Sequence, residues 1–189
     1  MNRRLTREFF GRPTLEVAPD MLGKVLVHRV EGVGLAGRIV EVEAYLGPED
    51  LASHASRKTS KRARIMFGPP GMVYVYLIYG MHHCLNFVTE NDGTAGAVLV
   101  RAVEPLDGIE QMRLNRGSGT ADRSLADGPG KLCQAMAINL THNRADACGD
   151  RIWLENRGHA VGRVERTPRI GVDYAGKWAQ KPWRFRVEN

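Results

Sequence analysis

Two carboxylates and a phenol alternate along one apolar segment of the chain, where they could perform acid–base chemistry. Glu41, Glu43 and Tyr45 occupy every second position near the end of residues 35–45. Successive side chains of a β-strand point to opposite faces, so this spacing predicts one face shared by these three and Ile39, with small aliphatic residues on the other. Alternating Glu residues are usually solvated. A carboxylate held among apolar strands can instead serve as a general base.

Tyrosines are concentrated on the most strongly predicted strand, residues 72–79. Tyr74 and Tyr76 alternate with aliphatic residues, and Tyr79 stands directly before a glycine, at the predicted tip of a hairpin with residues 82–88. Tyrosines in such a strand belong to a hydrophobic core more often than to a functional site. A large ring at a hairpin tip, however, would protrude and could wedge into a stack of bases.

Positive charge is concentrated in two parts of the sequence. The formal net charge is only +6, from 27 Lys and Arg against 21 Asp and Glu. Residues 57–64 nevertheless contain five basic residues and no acid, and seven more basic residues lie within 163–186 with few acids between them. A run of charge is usually a solvated face, but two runs beside an aromatic segment favour a polyphosphate partner.

The composition argues against several classes of protein. With 43% hydrophobic and 25% charged residues, the 189-residue chain is typical of a globular protein, and we expect one domain over residues 1–189. The three Cys residues lack CxxC spacing, which argues against a disulfide framework and a thiolate metal site. The adjacent pair His82 and His83 has no further ligand at a metal-like spacing. The lack of a long apolar run or signal-like start predicts a cytoplasmic protein without a membrane partner.

Strands and helices follow one another without the regular alternation of βαβ units. Strands are predicted at residues 23–30, 35–45, 72–79, 82–88, 97–103, 151–154, 169–172 and 183–187, and helices at residues 107–115 and 131–138. Residues 115–130 are rich in Gly, Ser and Asp and are expected to form a loop. This order favours an α+β fold with a mostly antiparallel sheet.

Blocks of sequence along the chain resemble the alkyladenine (3-methyladenine) DNA glycosylase family. They are GRIVEVEAYLGPED at 37–50, ASH at 52–54, MFGPPG at 66–71, YVYLIYGM at 74–81, CLN at 84–86, VRAVEPL at 100–106, GPGKLCQA at 128–135, RIGV at 169–172 and KPWRF at 181–185. An ordered series of blocks is far more specific than any single motif. The resemblance implies a single compact mixed domain with a curved, mostly antiparallel sheet, flanking helices and a protruding β-hairpin that enters the minor groove of DNA.

The resemblance also implies roles for particular residues. Glu43 stands at the position of the catalytic general base, and Tyr79 at that of the intercalating residue. The positions of the base pocket are Tyr45, His54, Tyr76, Asn86, which screens out normal guanine, and Arg101. DNA contacts are expected from Arg57, Lys58, Thr59, Lys61, Arg62, Arg64 and Lys131. Thr59 is followed by Ser60 where the family commonly has Thr-Pro, so the shape of this loop and its individual phosphate contacts stay open.

The implied activity is that of a monofunctional repair enzyme that acts on double-stranded DNA. Such an enzyme flips a damaged, alkylated or deaminated purine out of the duplex and hydrolyses its N-glycosidic bond with a water activated by Glu43, leaving an abasic site. We expect a monomer that needs no metal or other cofactor. Two alternatives stay open: a non-catalytic nucleic-acid-binding module that stacks bases on its tyrosines, and a lyase-type glycosylase with Lys131 as nucleophile.

Overall fold

Nine strands form one curved, antiparallel sheet in the computed structural model, which describes residues 3–30, 32–57, 60–117 and 119–188. The strands are β1 Arg3–Arg4, β2 Val25–Val30, β3 Val33–Tyr45, β4 Val73–Ile78, β5 His82–Val88, β6 Ala97–Asp107, β7 Ile152–Asn156, β8 Val164–Thr167 and β9 Arg184–Val187. Their order is β1-β7-β2-β3-β6-β5-β4, and β9 pairs with both β3 and β8. The predicted α+β fold with a mostly antiparallel sheet is confirmed.

Five α-helices accompany the sheet within the described ranges. They are α1 Arg7–Phe10, α2 Thr14–Met21, α3 Lys61–Met66, α4 Ile109–Arg116 and α5 Pro129–Ala135. Short 3₁₀ helices occur at His54–Ser56, Asp122–Ser124, Leu140–His142 and Asp173–Trp178. Buried faces of α2, α4 and α5 pack with aliphatic residues of the sheet in the main hydrophobic core. In this part of the chain no helix is both long and apolar enough to cross a membrane.

The thirteen-residue strand β3 is the centre of the sheet. Its first half pairs with β2 and its second half with β9 along one edge, while β6 follows the other edge. The register of β3 and β6 shifts on both sides of Glu41, so that Val40 and Arg101 are extra residues in bulges. Bulges bend a strand and redirect side chains. This part of β3 therefore departs from regular alternation.

The bulge corrects one prediction made from the sequence. Ile39 was expected on the face of Glu41 and Glu43, but it is fully buried in the main core with Val42 and Ala44. The extra residue between Ile39 and Glu41 reverses the alternation at that point. The predicted face begins only after the bulge.

Three helices near the N-terminal half of the chain were not predicted. Helix α2 lacks an N-cap side chain of its own, and Glu90 Oε1 instead accepts from the Thr14 amide at 2.6 Å and from its hydroxyl at 2.7 Å. Helix α1 is only four residues long. Part of the expected basic loop is helix α3, because Ser60 accepts from the Ala63 amide and caps it.

The prediction of a strand at residues 169–172 was wrong. The strand in this region is β8, and residues 169–172 follow an irregular path, with Gly171 at a φ of +74°. The other predicted strands and both predicted helices are confirmed within a few residues. The irregular segment brings its side chains to the site described below.

The tip of the β4–β5 hairpin holds a tyrosine in an unusual backbone conformation. Tyr79 and Gly80 have φ angles of 53° and 69°, and the Ile78 carbonyl accepts from the Met81 amide at 3.2 Å, as expected for a turn of type I′. The left-handed conformation costs a residue other than glycine about 1–2 kcal/mol. Tyr79 is 82% exposed, so the prediction that its ring protrudes is confirmed.

Two buried histidines contact each other at the edge of the core. The rings of His28 and His142 lie 4.6 Å apart, and His28 Nδ1 is 2.7 Å from the Met136 carbonyl oxygen. Burial lowers the pKa of His28, and burial together with nearby His28 and Arg151 lowers the pKa of His142 to about 4. Both rings are therefore neutral in the folded protein at neutral pH.

We expect the protein to lose stability as the pH falls from about 6.5 towards about 4. In this interval the unfolded chain binds a proton at His142 and the folded chain does not, so the free energy of unfolding decreases by up to about 1.4 kcal/mol per pH unit for this residue. Urea denaturation across the interval measures the effect. His142→Asn should show a shallower dependence on pH, and an unchanged dependence would contradict the assignment.

Candidate active site

A cavity of about 530 Å³ opens between the β4–β5 hairpin, the start of α5 and residues 170–174. This volume is typical of sites for small molecules. The cavity brings together residues that are distant in sequence. Those of its lining residues that were predicted from the sequence are Tyr45, His54, Arg62, Tyr76, Tyr79, Asn86, Arg101 and Lys131.

Glu43 lies directly behind the wall of this cavity. Its side chain is 0% exposed. Oε2 accepts from the Tyr45 hydroxyl at 2.8 Å and lies 3.2 Å from Arg101 Nη1, while Oε1 accepts from the Ile170 amide at 2.8 Å. All three partners line the cavity, so they separate the carboxylate from it. A carboxylate can be buried in this way because donors surround both of its oxygens.

The β6 bulge places Arg101 between two carboxylates. Its Nε donates to Glu41 Oε1 at 2.8 Å, and its Nη1 lies against Glu43. Burial alone would lower the pKa of Arg101, but the charge of Glu43 and the hydrogen bond to Glu41 raise it overall. Arg101 is therefore a fixed positive charge in the cavity wall.

Neutral aromatic rings form much of the remaining wall. The His54 and Tyr76 ring centroids are 4.7 Å apart, and the Tyr74 hydroxyl is hydrogen-bonded to His54 Nδ1 at 2.7 Å. Burial raises the pKa of Tyr45, Tyr74 and Tyr76, so these phenols keep their protons. Burial and the charges of Arg62 and Arg57 lower the pKa of His54 to about 4. These walls suit a flat ring, including a cationic one.

Asn86 is a buried polar residue in the cavity wall. Its Nδ2 donates to the Tyr74 carbonyl at 3.1 Å and to the Cys84 carbonyl at 3.4 Å. Both bonds are donated by Nδ2, so they fix which way the side-chain amide points. Asn86 therefore presents a rigid surface to the cavity.

The basic residues predicted to contact DNA fall into two groups. Arg62 belongs to the cavity wall, where its Nη2 donates to the Leu77 carbonyl at 2.8 Å and its guanidinium lies 5.2 Å from the Tyr76 ring centroid. Lys131 also lines the cavity and pairs with Asp127 at 2.9 Å. Arg57, Lys61 and Arg64 are exposed on and beside α3. Lys58 and Thr59 lie outside the described residues, and DNA contact by the whole set stays a prediction.

The cavity offers aromatic faces and hydrogen bonds in place of a set of metal ligands. In the residues that the structure describes, no three His, Cys, Asp or Glu side chains are grouped as metal ligands would be. The one carboxylate behind the wall, Glu43, has its oxygens bound by protein donors. A reaction without metal or cofactor stays a prediction.

Comparison with known proteins identifies the family. A family model described as methylpurine-DNA glycosylase (MPG) matches residues 8–189, nearly the whole chain. The chain belongs to the methylpurine-DNA glycosylase family. The resemblance found in the sequence is thereby confirmed, and the protein is a DNA glycosylase whose partner is DNA.

Relatives of this glycosylase are similar over nearly their full length. One from Alkaliphilus oremlandii is 51% identical over 98% of this chain and 96% of its own length. Others, from Methanocella arvoryzae and Clostridium tetani, are 52% and 42% identical over 98% of this chain, and the matches cover 92% and 96% of their lengths. All three carry the name "Putative 3-methyladenine DNA glycosylase".

A buried ion pair that was not predicted from the sequence holds the site together. Arg169 binds both oxygens of Asp50 at 2.6 and 2.8 Å, and the side chains of this pair are 0% exposed. Arg169 also donates to the Ala44 carbonyl, and its guanidinium lies 4.7 Å from the Tyr45 ring centroid. The pair thus fixes the chain just before Ile170, whose amide binds Glu43. Both residues occur in family blocks, which was the available signal.

A second omission is the rim of the cavity at residues 170–174. Ile170, Gly171, Val172 and Tyr174 line it, and Tyr174 is 70% exposed. These residues follow an irregular path in the structure, so no periodic sequence pattern marks them as part of a site. Its position depends on contacts with distant residues such as Asp50.

We expect Asp50→Asn to lower the free energy of unfolding by about 3–5 kcal/mol, because it leaves the buried Arg169 guanidinium without a counter-charge. Asp20→Asn is the matched control, since Asp20 pairs with Arg12 at the surface and should contribute less than about 1 kcal/mol. Urea denaturation of both variants measures the difference. Equal, small losses would contradict the importance of the buried pair.

Proposed function

We propose that this glycosylase excises alkylated purines from double-stranded DNA by hydrolysis, with Glu43 as the base that activates water. One observation carries the proposal: a buried carboxylate lies immediately behind an aromatic cavity of suitable size, and cavity-lining donors hold both of its oxygens. The products are a free base and an abasic site. The residues used in this reaction all belong to one chain, so the proposed reaction needs no second copy of the protein.

Extrusion of the target nucleotide is the first step of the proposed reaction. Rotating a base out of a duplex costs a few kcal/mol. The exposed ring of Tyr79 fills the vacated position, and the extruded base stacks against Tyr45, Tyr76 and His54, at about 1–3 kcal/mol per stacked base. The two gains together offset the cost of unstacking. Damaged bases that are already poorly stacked are extruded more easily.

The neutral walls favour alkylated purines that carry a positive charge. Protonated phenols and a neutral His54 present their π faces without adding a charge of their own. Aromatic faces attract cations by roughly 0.5–2 kcal/mol. A cationic base such as 3-methyladenine is also a good leaving group, because it takes the electron pair of the glycosidic bond and departs neutral.

Bond cleavage leaves positive charge on the sugar, as in the hydrolysis of glycosides. In the proposed step, water replaces the Tyr45 hydroxyl beside Glu43 Oε2 when the nucleotide enters. The water oxygen bonds to the anomeric carbon and its proton passes to Glu43, while the carboxylate stabilises the charge on the sugar. A deaminated purine such as hypoxanthine is neutral and must be protonated as it leaves, so we expect slower release of that base.

Two other functions account for less of the site. A non-catalytic binding module has no use for a buried carboxylate behind the cavity, and family membership does not favour it. A lyase needs a lysine that is free to attack the sugar, whereas Lys131 Nζ is bound to Asp127 at 2.9 Å. Hydrolysis uses the groups that the cavity brings together.

Glu43→Gln should retain affinity for abasic-site DNA and lose base release by about 10²–10⁴-fold, because the amide cannot take a proton from water. Single-turnover release of 3-methyladenine from a duplex measures the rate, and fluorescence anisotropy measures the affinity. Glu165→Gln is the matched control, since it removes a half-exposed carboxylate paired with Arg186 on β8. Substantial release by Glu43→Gln would refute the role of this residue.

Tyr79→Ala should slow base release from a fully paired duplex by about tenfold or more, with a smaller effect when the lesion is mispaired and extrusion costs less. Met81→Ala, at the same hairpin tip and also exposed, is the control. The measurement is the single-turnover rate of base release from the fully paired and the mispaired duplex. An equal loss on both substrates would be inconsistent with a role for Tyr79 in extrusion.

A further inference from the structure

Glu41 is not the solvated carboxylate that alternating Glu residues on a strand usually provide. Its Oε1 accepts from Arg101 Nε at 2.8 Å and from Arg184 Nε at 2.7 Å. Its side chain is only 13% exposed. One carboxylate oxygen thus binds two guanidinium groups, directly beside the proposed catalytic residue.

The strand order explains how these groups meet. Strand β3 runs between β6, which supplies Arg101 from its bulge, and β9, which supplies Arg184. Arg184 is opposite Glu43 in the register and reaches diagonally to Glu41. Its Nη1 donates to Thr167 Oγ1 on β8 at 3.1 Å. Glu41 is therefore held by Arg101 across one edge of β3 and by Arg184 across the opposite edge.

Arg101 divides its donors between the two carboxylates. Its Nε is hydrogen-bonded to Glu41 at 2.8 Å, whereas its Nη1 is 3.2 Å from Glu43. A guanidinium that is free to turn prefers to bind one carboxylate with two parallel hydrogen bonds. Arg101 Nη1 already contacts Glu43 Oε2, the oxygen beside which the water must lie. Without a charge at position 41, Arg101 would be free to add a second hydrogen bond to Glu43 and to leave less room for that water.

We propose that Glu41 is a positioning residue, which restrains Arg101 to a single contact with Glu43 and so keeps Glu43 Oε2 accessible to the nucleophilic water. The inference rests on the proposed role of Glu43 and adds a partner to it. Glu41 itself touches neither water nor nucleotide in this account. Glu41 affects the rate only by fixing the position of the Arg101 guanidinium.

The variant Glu41→Gln keeps the shape of the side chain and removes its charge. We expect single-turnover base release to fall by about 10–100-fold, as when a hydrogen-bond partner that orients a metal-binding side chain is lost. Affinity for abasic-site DNA should change by less than about threefold, because the variant leaves in place Tyr79 and the basic residues that are predicted to contact DNA. Glu41→Asp, which keeps the charge, should recover a large part of the rate.

A second variant separates positioning from simple stabilisation of the sheet. Arg184→Gln breaks the same buried cluster but leaves the Arg101–Glu41 hydrogen bond, so its loss of rate should be much smaller than that of Glu41→Gln. Urea denaturation should show comparable losses of stability for the two variants. Glu165→Gln serves as the control for removing a Glu–Arg pair outside the site.

The outcomes distinguish this inference from the function on which it rests. The positioning role would be overturned if Glu41→Gln released the base at the rate of the unmodified enzyme. It would also be overturned if Glu41→Gln and Arg184→Gln lost the same fraction of that rate. Failure of Glu41→Asp to recover activity, or a loss of DNA affinity as large as the loss of rate, would overturn it as well. If Glu43→Gln is inactive in the same assay, the proposed function stands in each of these cases. If Glu43→Gln is active, the proposed function fails.

Discussion

The buried carboxylate of Glu43 is the constraint on which the site depends. A charge without access to water must be surrounded by donors, and here they come from three separate parts of the chain. Tyr45 lies on the same strand, Arg101 projects from a bulge in β6, and Ile170 is held in place by the Arg169–Asp50 ion pair. The same three partners form part of the cavity wall, so the donors that stabilise the buried Glu43 carboxylate also place it beside the cavity that we propose receives the nucleotide.

Burial has a second effect on the cavity, because it controls the charge of the wall. The phenols keep their protons, and His54, whose pKa is lowered to about 4, is uncharged at neutral pH, so the aromatic faces are neutral. The charged side chains in the wall are Arg62, Arg101 and Lys131, and the Glu43 carboxylate lies behind Arg101. In the proposed reaction, a cationic purine meets π faces, and the cationic sugar formed during cleavage is next to the carboxylate. At the hairpin tip, Tyr79 is held in a strained left-handed backbone conformation, although a smaller residue would form the same turn.

Local sequence patterns predicted the parts of the site that depend on local geometry. Alternation along β3 placed Glu43 and Tyr45 on one face, and the glycine after Tyr79 marked the hairpin tip. The bulges, the Arg169–Asp50 pair and the capping of α2 by Glu90 were not predictable in this way, because each joins residues that are distant in sequence. For the same reason residues 169–172 were mistaken for a strand: their apolar, β-branched composition suits one, but the buried Arg169 holds them in an irregular path.

A crystal structure with duplex DNA that contains a cationic pyrrolidine in place of one sugar tests the central claim most directly, because this ring imitates the charge that develops during cleavage. The account predicts that the ring nitrogen lies within about 3 Å of Glu43 or of a water bound to it, with the Tyr45 hydroxyl displaced and Tyr79 in the stack. A pyrrolidine bound outside the cavity, with Glu43 still covered by Tyr45, would contradict it.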